Sequence, residues 1–205
     1  IDYKGAALVA RKIVKIMADT VYIEKNHLHI SSSIGISLYP ENGLDYETLY
    51  KNADTALYQA KDNGRNQYQF FTQEMQILTM RRMEIESHLR HAVLKNELEL
   101  FYQPQVDAKT REIVGAEALL RWMHPEWGMV SPAEFIPVAE DTGLIVSIGD
   151  WVLEQAIVQA KKWHDAGYVS ITVAVNLSLA QFNEPTLFEK VKTILQQEAL
   201  PPQYL

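Results

Sequence analysis

From residue 97 onward the sequence alternates short apolar runs with longer stretches of helical periodicity, and this rhythm limits the fold more than any other feature of the chain. Leu98 to Gln103, Ile113 to Trp122 and Ser170 to Asn176 read as strands. Ser131-Pro132-Ala133-Glu134 reads as a helix start, with Ser as cap, Pro at the first helical position and Glu reaching back as in a capping box. A longer helix is expected from about Ile148 to Ala166, stopped by Gly167, and another from Pro185 to Glu198. Strands separated by helices predict a mainly parallel sheet, either a barrel or an open one.

The residues before this have a different texture. Ala6, Ala7, Val9, Ala10, Ile13, Ile16 and Met17 recur at helical spacing, and the stretch from His27 to Leu38 then alternates as a strand or hairpin. Tyr39-Pro40-Glu41-Asn42-Gly43 is a turn cluster. Leu49, Ala53, Ala56, Leu57 and Ala60 share one helical face that Gly64 would close, and Gln67 to Phe71 is a short aromatic strand. Helix, strands, helix and strand make residues 1–71 α+β material. Residues 72–96 have helical spacing and read equally as a connector between two domains or as the first helix of the second, residues 97–205.

Composition narrows the functional classes. With 205 residues, 47% hydrophobic and 22% charged, the chain matches one large or two small globular domains. No apolar run approaches the roughly 20 residues of a membrane span, and no leader pattern opens the sequence. A cytoplasmic location is therefore expected for this stretch, with anchoring of the parent protein through upstream segments left open. Ile1 and the unpunctuated segment Leu200–Leu205 are expected of a chain cut at both ends. Cysteine is absent, so any metal must be held by oxygen or histidine. The net charge of −7, dispersed without long runs, argues against binding duplex nucleic acid but leaves room for a small anionic ligand.

In a parallel β/α protein, reactive groups collect at the carboxyl ends of strands. Gln103, Glu117 with Arg121, and Asn176 fall at or near such ends. Glu117 is the informative residue, because Val114-Gly115-Ala116-Glu117-Ala118-Leu119-Leu120 surrounds one carboxylate with apolar and small neighbours, where an unpaired charge is costly. Two readings stand side by side. Glu117 forms a structural ion pair with Arg121, or Glu117 and Asn176 are oxygen ligands for a hard divalent cation with Arg121 on a phosphate oxygen. His88, His91, His124 and His164 have no spacing of a recognisable metal site and read as surface or packing residues. Trp122, Trp127, Trp151 and Trp163 read as core or loop anchors.

The run Glu117-Ala118-Leu119-Leu120-Arg121-Trp122 resembles the E-A-L-x-R-W signature of the EAL domain family. It is preceded by Phe101-Tyr102-Gln103-Pro104-Gln105 and followed by Pro132-Ala133-Glu134-Phe135-Ile136-Pro137-Val138-Ala139-Glu140 and Val175-Asn176-Leu177-Ser178, in the family's order. The earlier residues resemble the end of a GGDEF domain, through Ser33-Ile34-Gly35-Ile36-Ser37, Asn52-Ala53-Asp54-Thr55-Ala56-Leu57-Tyr58-Gln59-Ala60-Lys61 and Asn63-Gly64-Arg65-Asn66.

The resemblance implies an α/β chain: a partial TIM-like (β/α) barrel of EAL type, preceded by a partial α+β GGDEF (nucleotidyl-cyclase-like) domain. It implies a parent phosphodiesterase that hydrolyses cyclic di-GMP to linear pGpG with two Mg²⁺ or Mn²⁺ ions, or alternatively a degenerate receptor that binds cyclic di-GMP without cleaving it. Glu117 and Asn176 are then metal ligands, Arg121 holds a substrate phosphate, and Gln103, Leu119 and Pro137 contact the nucleotide. Lys61 and Arg65 would bind triphosphate oxygens in the GGDEF part, whose signature loop is not in this sequence. The family's remaining acidic ligands and its lysine would lie past Leu205, so the stretch alone is expected to be inactive. A homodimer and an upstream sensory domain are expected of the parent protein.

Overall fold

The computed structural model describes residues 2–23 and 26–205, which divide into two compact units between Arg81 and Arg82. The first unit opens with α1 (Tyr3–Met17), whose N-terminus is capped by the Asp2 carboxylate accepting from Gly5 N at 2.9 Å. The strands β1 (Val21–Ile23) and β2 (Asn26–Leu28) pair antiparallel. A parallel pair, β3 (Ile34–Ile36) with β4 (Tyr68–Phe70), is crossed by α2 (Tyr46–Asp62).

The α2 helix seats because of one glycine. A Cβ at Gly35 would lie 1.9 Å from the Ala53 carbonyl oxygen and 2.3 Å from Leu57 N, so β3 meets the helix backbone directly. Asn52, Ala56 and Ala60 are the buried residues of α2. The Asp45 carboxylate starts this helix by accepting from Thr48 N and Thr48 Oγ1, each at 2.8 Å. Those bonds, the backbone one first, hold its carboxyl below the usual range.

The helix α3 (Gln73–Ala92) lies within the span 72–96 read as helical and ends four residues before it. In the second unit its Ile85, Leu89 and Ala92 are buried. There follow β5 (Leu98–Val106), β6 (Ile113–His124), β7 (Gly128–Val130), α4 (Pro132–Asp141), α5 (Leu144–Asp165), β8 (Thr172–Val175), α6 (Leu179–Phe182) and α7 (Leu187–Gln197). The unit is α/β. Strand β6 is its spine, pairing with β5 along one edge and with β7 and β8 along the other.

The expectation of a mainly parallel sheet is corrected for this unit, because within its sheet only β6 and β8 run parallel. The connection from β5 to β6 is the six-residue turn 107–112, far too short for a parallel crossover. Asp107 builds it by accepting from the N–H groups of Lys109 and Thr110, each at 2.8 Å.

Two helix starts also differ from the sequence reading. The Ser131 side chain makes no capping bond, and its carbonyl instead accepts from Glu134 N at 2.9 Å and Phe135 N at 3.2 Å. The long helix begins at Leu144 rather than near Ile148, since Gly143 at φ 76° turns the chain directly out of α4.

Alternation along β6 organises the core. Ala116, Ala118, Trp122 and His124 are buried on one face, where α3, α4 and α5 pack Leu89, Phe135 and Ile148 in one cluster with Trp122 and Ile157 in another with Ala118. Trp122, completely buried, donates from Nε1 to Glu97 Oε2 at 3.0 Å. Glu117, Leu119 and Arg121 consequently project from the opposite face.

Candidate functional site

That opposite face is assembled by strand register. Gln103 of β5 stands directly across from Glu117, Phe101 from Leu119, and Glu99 from Arg121. On the other side Glu117 faces Ala174 of β8, so Asn176, two residues further on, returns to the same face. The Asn176 side chain reaches the carboxylate: its Nδ2 donates to Glu117 Oε1 at 2.7 Å. Residues 59 apart in sequence are thereby brought into one contact.

The ion pair between Glu117 and Arg121 does not form among the described residues. Four residues along a strand separate them by about 13 Å. Arg121 instead donates from Nη1 to the Leu120 carbonyl at 2.9 Å, with its guanidinium carbon 5.6 Å from the Phe101 ring centre. Glu117 and Arg121 are both half-buried, and Gln103 and Asn176 are exposed.

A pocket of about 260 Å³ opens beside this face, lined by Leu119, Arg121, Asn176, Glu140, Gly149 and Gln181, among others. Ile136 of α4 also lines it, whereas Pro137 is exposed and does not. In the first unit, Lys61 is exposed in the last turn of α2 and Arg65 is exposed in the turn after it, at φ 60°. The carboxylate and carboxamide are hard oxygen donors in contact, and a 180° turn of the Asn176 amide presents its oxygen beside Glu117, which fits a small divalent cation. Among the described residues no group of three or more His, Asp or Glu side chains gathers around a common point.

Sequence reasoning missed two features. The reciprocal capping box is at Ser178 and Gln181, not at Ser131: Gln181 N donates to Ser178 Oγ at 3.2 Å, and Ser178 N donates to Gln181 Oε1 at 3.2 Å. Its spelling, S-x-x-Q, was legible, but a four-residue helix has no period to announce it. The second concerns the histidines. His124 is buried, its ring stacked 3.9 Å from that of Trp127, with Nε2 2.8 Å from His88 Nδ1. Its Nδ1 accepts from Glu126 N and Trp127 N, each at 3.2 Å, which leaves the proton on Nε2 to be donated to His88. The two histidines form a hydrogen-bonded pair that their spacing in sequence did not reveal.

The fold and site together define an α/β protein with oxygen donors and a guanidinium on one face of its sheet. Comparison with known proteins gives the family. The EAL domain model matches residues 86–205, more than half of the chain, and the chain belongs to that family; the model for the diguanylate cyclase GGDEF domain matches residues 2–67. The bifunctional diguanylate cyclase/cyclic di-GMP phosphodiesterase MucR of Pseudomonas aeruginosa is 43% identical over 200 residues, 98% of this chain and 29% of that protein. The cyclic di-GMP phosphodiesterase PdeR of Escherichia coli is 39% identical over 170 residues, 83% of this chain and 25% of that protein. Among solved structures, PaMucR phosphodiesterase in complex with c-di-GMP matches with a TM-score of 0.58 at 43% identity, covering 60% of this chain and 49% of that one. The chain thus spans less than a third of the length of these curated relatives. Among the described residues no helix is long and apolar enough to cross a membrane.

Proposed function

We propose that the protein carrying this chain is a metal-dependent phosphodiesterase that hydrolyses cyclic di-GMP to linear pGpG. The observation that carries this reading is the contact between Asn176 and Glu117, two oxygen-bearing side chains brought together from separate strands within a family whose relatives are named for this activity. Glu117 and Asn176 would hold a Mg²⁺ or Mn²⁺ ion, which when bound supplies Lewis-acid polarisation of the phosphate and a water of lowered pKa. Arg121, at the pocket beside them, binds a phosphate oxygen of the substrate by charge-assisted hydrogen bonds. Leu119 packs against the nucleotide, and Gln103 hydrogen-bonds it from the facing strand. Pro137, exposed on α4 beside the pocket-lining Ile136, is offered as a further contact to the nucleotide.

Residues 72–96 are read as the connector between a GGDEF part and an EAL part. In the former, Lys61 and Arg65 are offered as phosphate contacts, with no cyclase activity proposed.

A second reading is cyclic di-GMP binding without turnover, since the Arg121 guanidinium at the pocket serves a receptor as well as an enzyme. One experiment separates the two. The intact protein is incubated with cyclic di-GMP and Mg²⁺ or Mn²⁺, and pGpG is followed by chromatography, for the native sequence and for Glu117→Ala. Hydrolysis by the former, abolished in the latter, is the expected result. Tight binding without product selects the receptor, and undiminished turnover by Glu117→Ala overturns the metal role.

A further inference from the structure

A buried amide stands behind the Asn176–Glu117 pair. Gln181 is only 3% exposed, on the short helix that begins three residues after Asn176. Its side-chain oxygen accepts from both Ser178 N at 3.2 Å and Ser178 Oγ at 3.1 Å. Its Nε2 is buried with no hydrogen-bond partner among the described residues. The amide rests directly on α5 at Gly149, where an added Cβ would lie 1.8 Å from Nε2 and 2.3 Å from Cδ.

An unpaired buried N–H is destabilising, and methionine would fill similar space without it. What glutamine alone supplies at this position is the acceptor oxygen that holds two Ser178 groups. Pairing of β8 with β6 ends at Val175, and Leu177, between Asn176 and Ser178, is exposed. The turn that carries Asn176 is therefore held by the Asn176 bond to Glu117 on one side and by the Ser178 bonds to Gln181 on the other.

We infer that Gln181, seated on Gly149, is a positioning residue for Asn176: it clamps the turn after β8 so that the Asn176 side chain is held at Glu117 ready to share a cation. The inference rests on the metal-ligand reading of those two residues. Groups that orient metal ligands typically change affinity by 10- to 100-fold when removed.

The test measures Mn²⁺ binding alone, by the electron paramagnetic resonance signal of free Mn²⁺, on the intact protein without substrate. In Gln181→Met, Mn²⁺ affinity is expected to fall on the order of 10- to 100-fold. The KM for cyclic di-GMP at saturating metal is expected to stay within about threefold. Adding Ser178→Ala to Gln181→Met should cost nothing further, because both act through one clamp. A folded Gln181→Met with native Mn²⁺ affinity overturns the inference, as do fully additive losses in the double variant. Should Gln181→Met fail to fold, Ser178→Ala alone decides: weakened Mn²⁺ binding supports the clamp and unchanged binding rejects it. Glu117→Ala separates the two levels. If it binds Mn²⁺ as the native protein does, the metal-site reading itself falls; if it loses Mn²⁺ while Gln181→Met does not, only the clamp falls.

Discussion

The two units of this chain pack helices on strands with very different reserves. Before Arg82 every strand among the described residues is three residues long, the seat of α2 depends on the missing side chain of Gly35, and the apolar residues Val9, Ile13 and Ile16 of α1 are exposed. After it, β5 and β6 run for 9 and 12 residues, and Trp122, Phe135, Ile148 and Ile157 are almost wholly removed from water. The candidate groups follow the same division. Lys61 and Arg65 need only a helix end to place them, whereas Gln103, Glu117 and Asn176 need three strands in register. Precise placement of side chains from distant parts of the sequence goes with the large core.

After the loss of turnover expected of Glu117→Ala, the largest effect should come from Phe135→Ala, which empties the space beside Trp122. A loss of about 3–5 kcal/mol is expected in urea unfolding of the second unit, with hydrogen exchange in β3 and β4 unchanged. Equal loss of protection in both units would show that they unfold together and dissolve the contrast.

Gly35→Ala is the counterpart in the first unit. The new methyl collides with helix backbone rather than with a flexible side chain, so about 1–3 kcal/mol of local stability should be lost. Amides of β3, β4 and α2 should exchange faster while pGpG formation stays native. Slowed hydrolysis would reveal energetic coupling between the units.

Acid should act on the second unit through His124. Burial first, and then the neighbouring His88, push its pKa below the ordinary 6.5; Lys95 adds to this, and Glu97 and Glu126 oppose it. The unfolded chain therefore binds a proton that folded His124 refuses, and the stabilisation complete above about pH 6.5 is lost progressively as pH falls through that value. The melting temperature of this unit should drop more on acidification for the native protein than for His124→Gln, which does not titrate. Identical slopes would show that folded His124 accommodates the proton. The smallest effect is expected of Lys61→Ala, exposed at the end of α2, with stability changed by less than about 0.5 kcal/mol. A larger change would show that this lysine has a structural partner.

Much of this molecule could be read from local sequence. The helices α1, α2, α5 and α7, the strand β6 and the stop at Gly167 follow from periodicity and from residues with distinctive backbone preferences. Glu117 was legible as an anomaly in an apolar run, and Asn176 as a strand-end amide. The direction of β5 was not read from the alternation of elements, although the shortness of the Asp107–Glu112 turn contains it. β7 and α6 are too short to carry a period.

Most of the helices and strands, the family and the chemical types available to the site are written in the linear order of residues, because these depend on neighbours within a few positions. Long-range packing settles that Glu117 meets Asn176 rather than Arg121, that His88 meets His124, and that Gln181 rests on Gly149. Each of those contacts joins residues dozens of positions apart. Strand register and helix packing, which fix such contacts, are properties of the whole buried core rather than of any local segment.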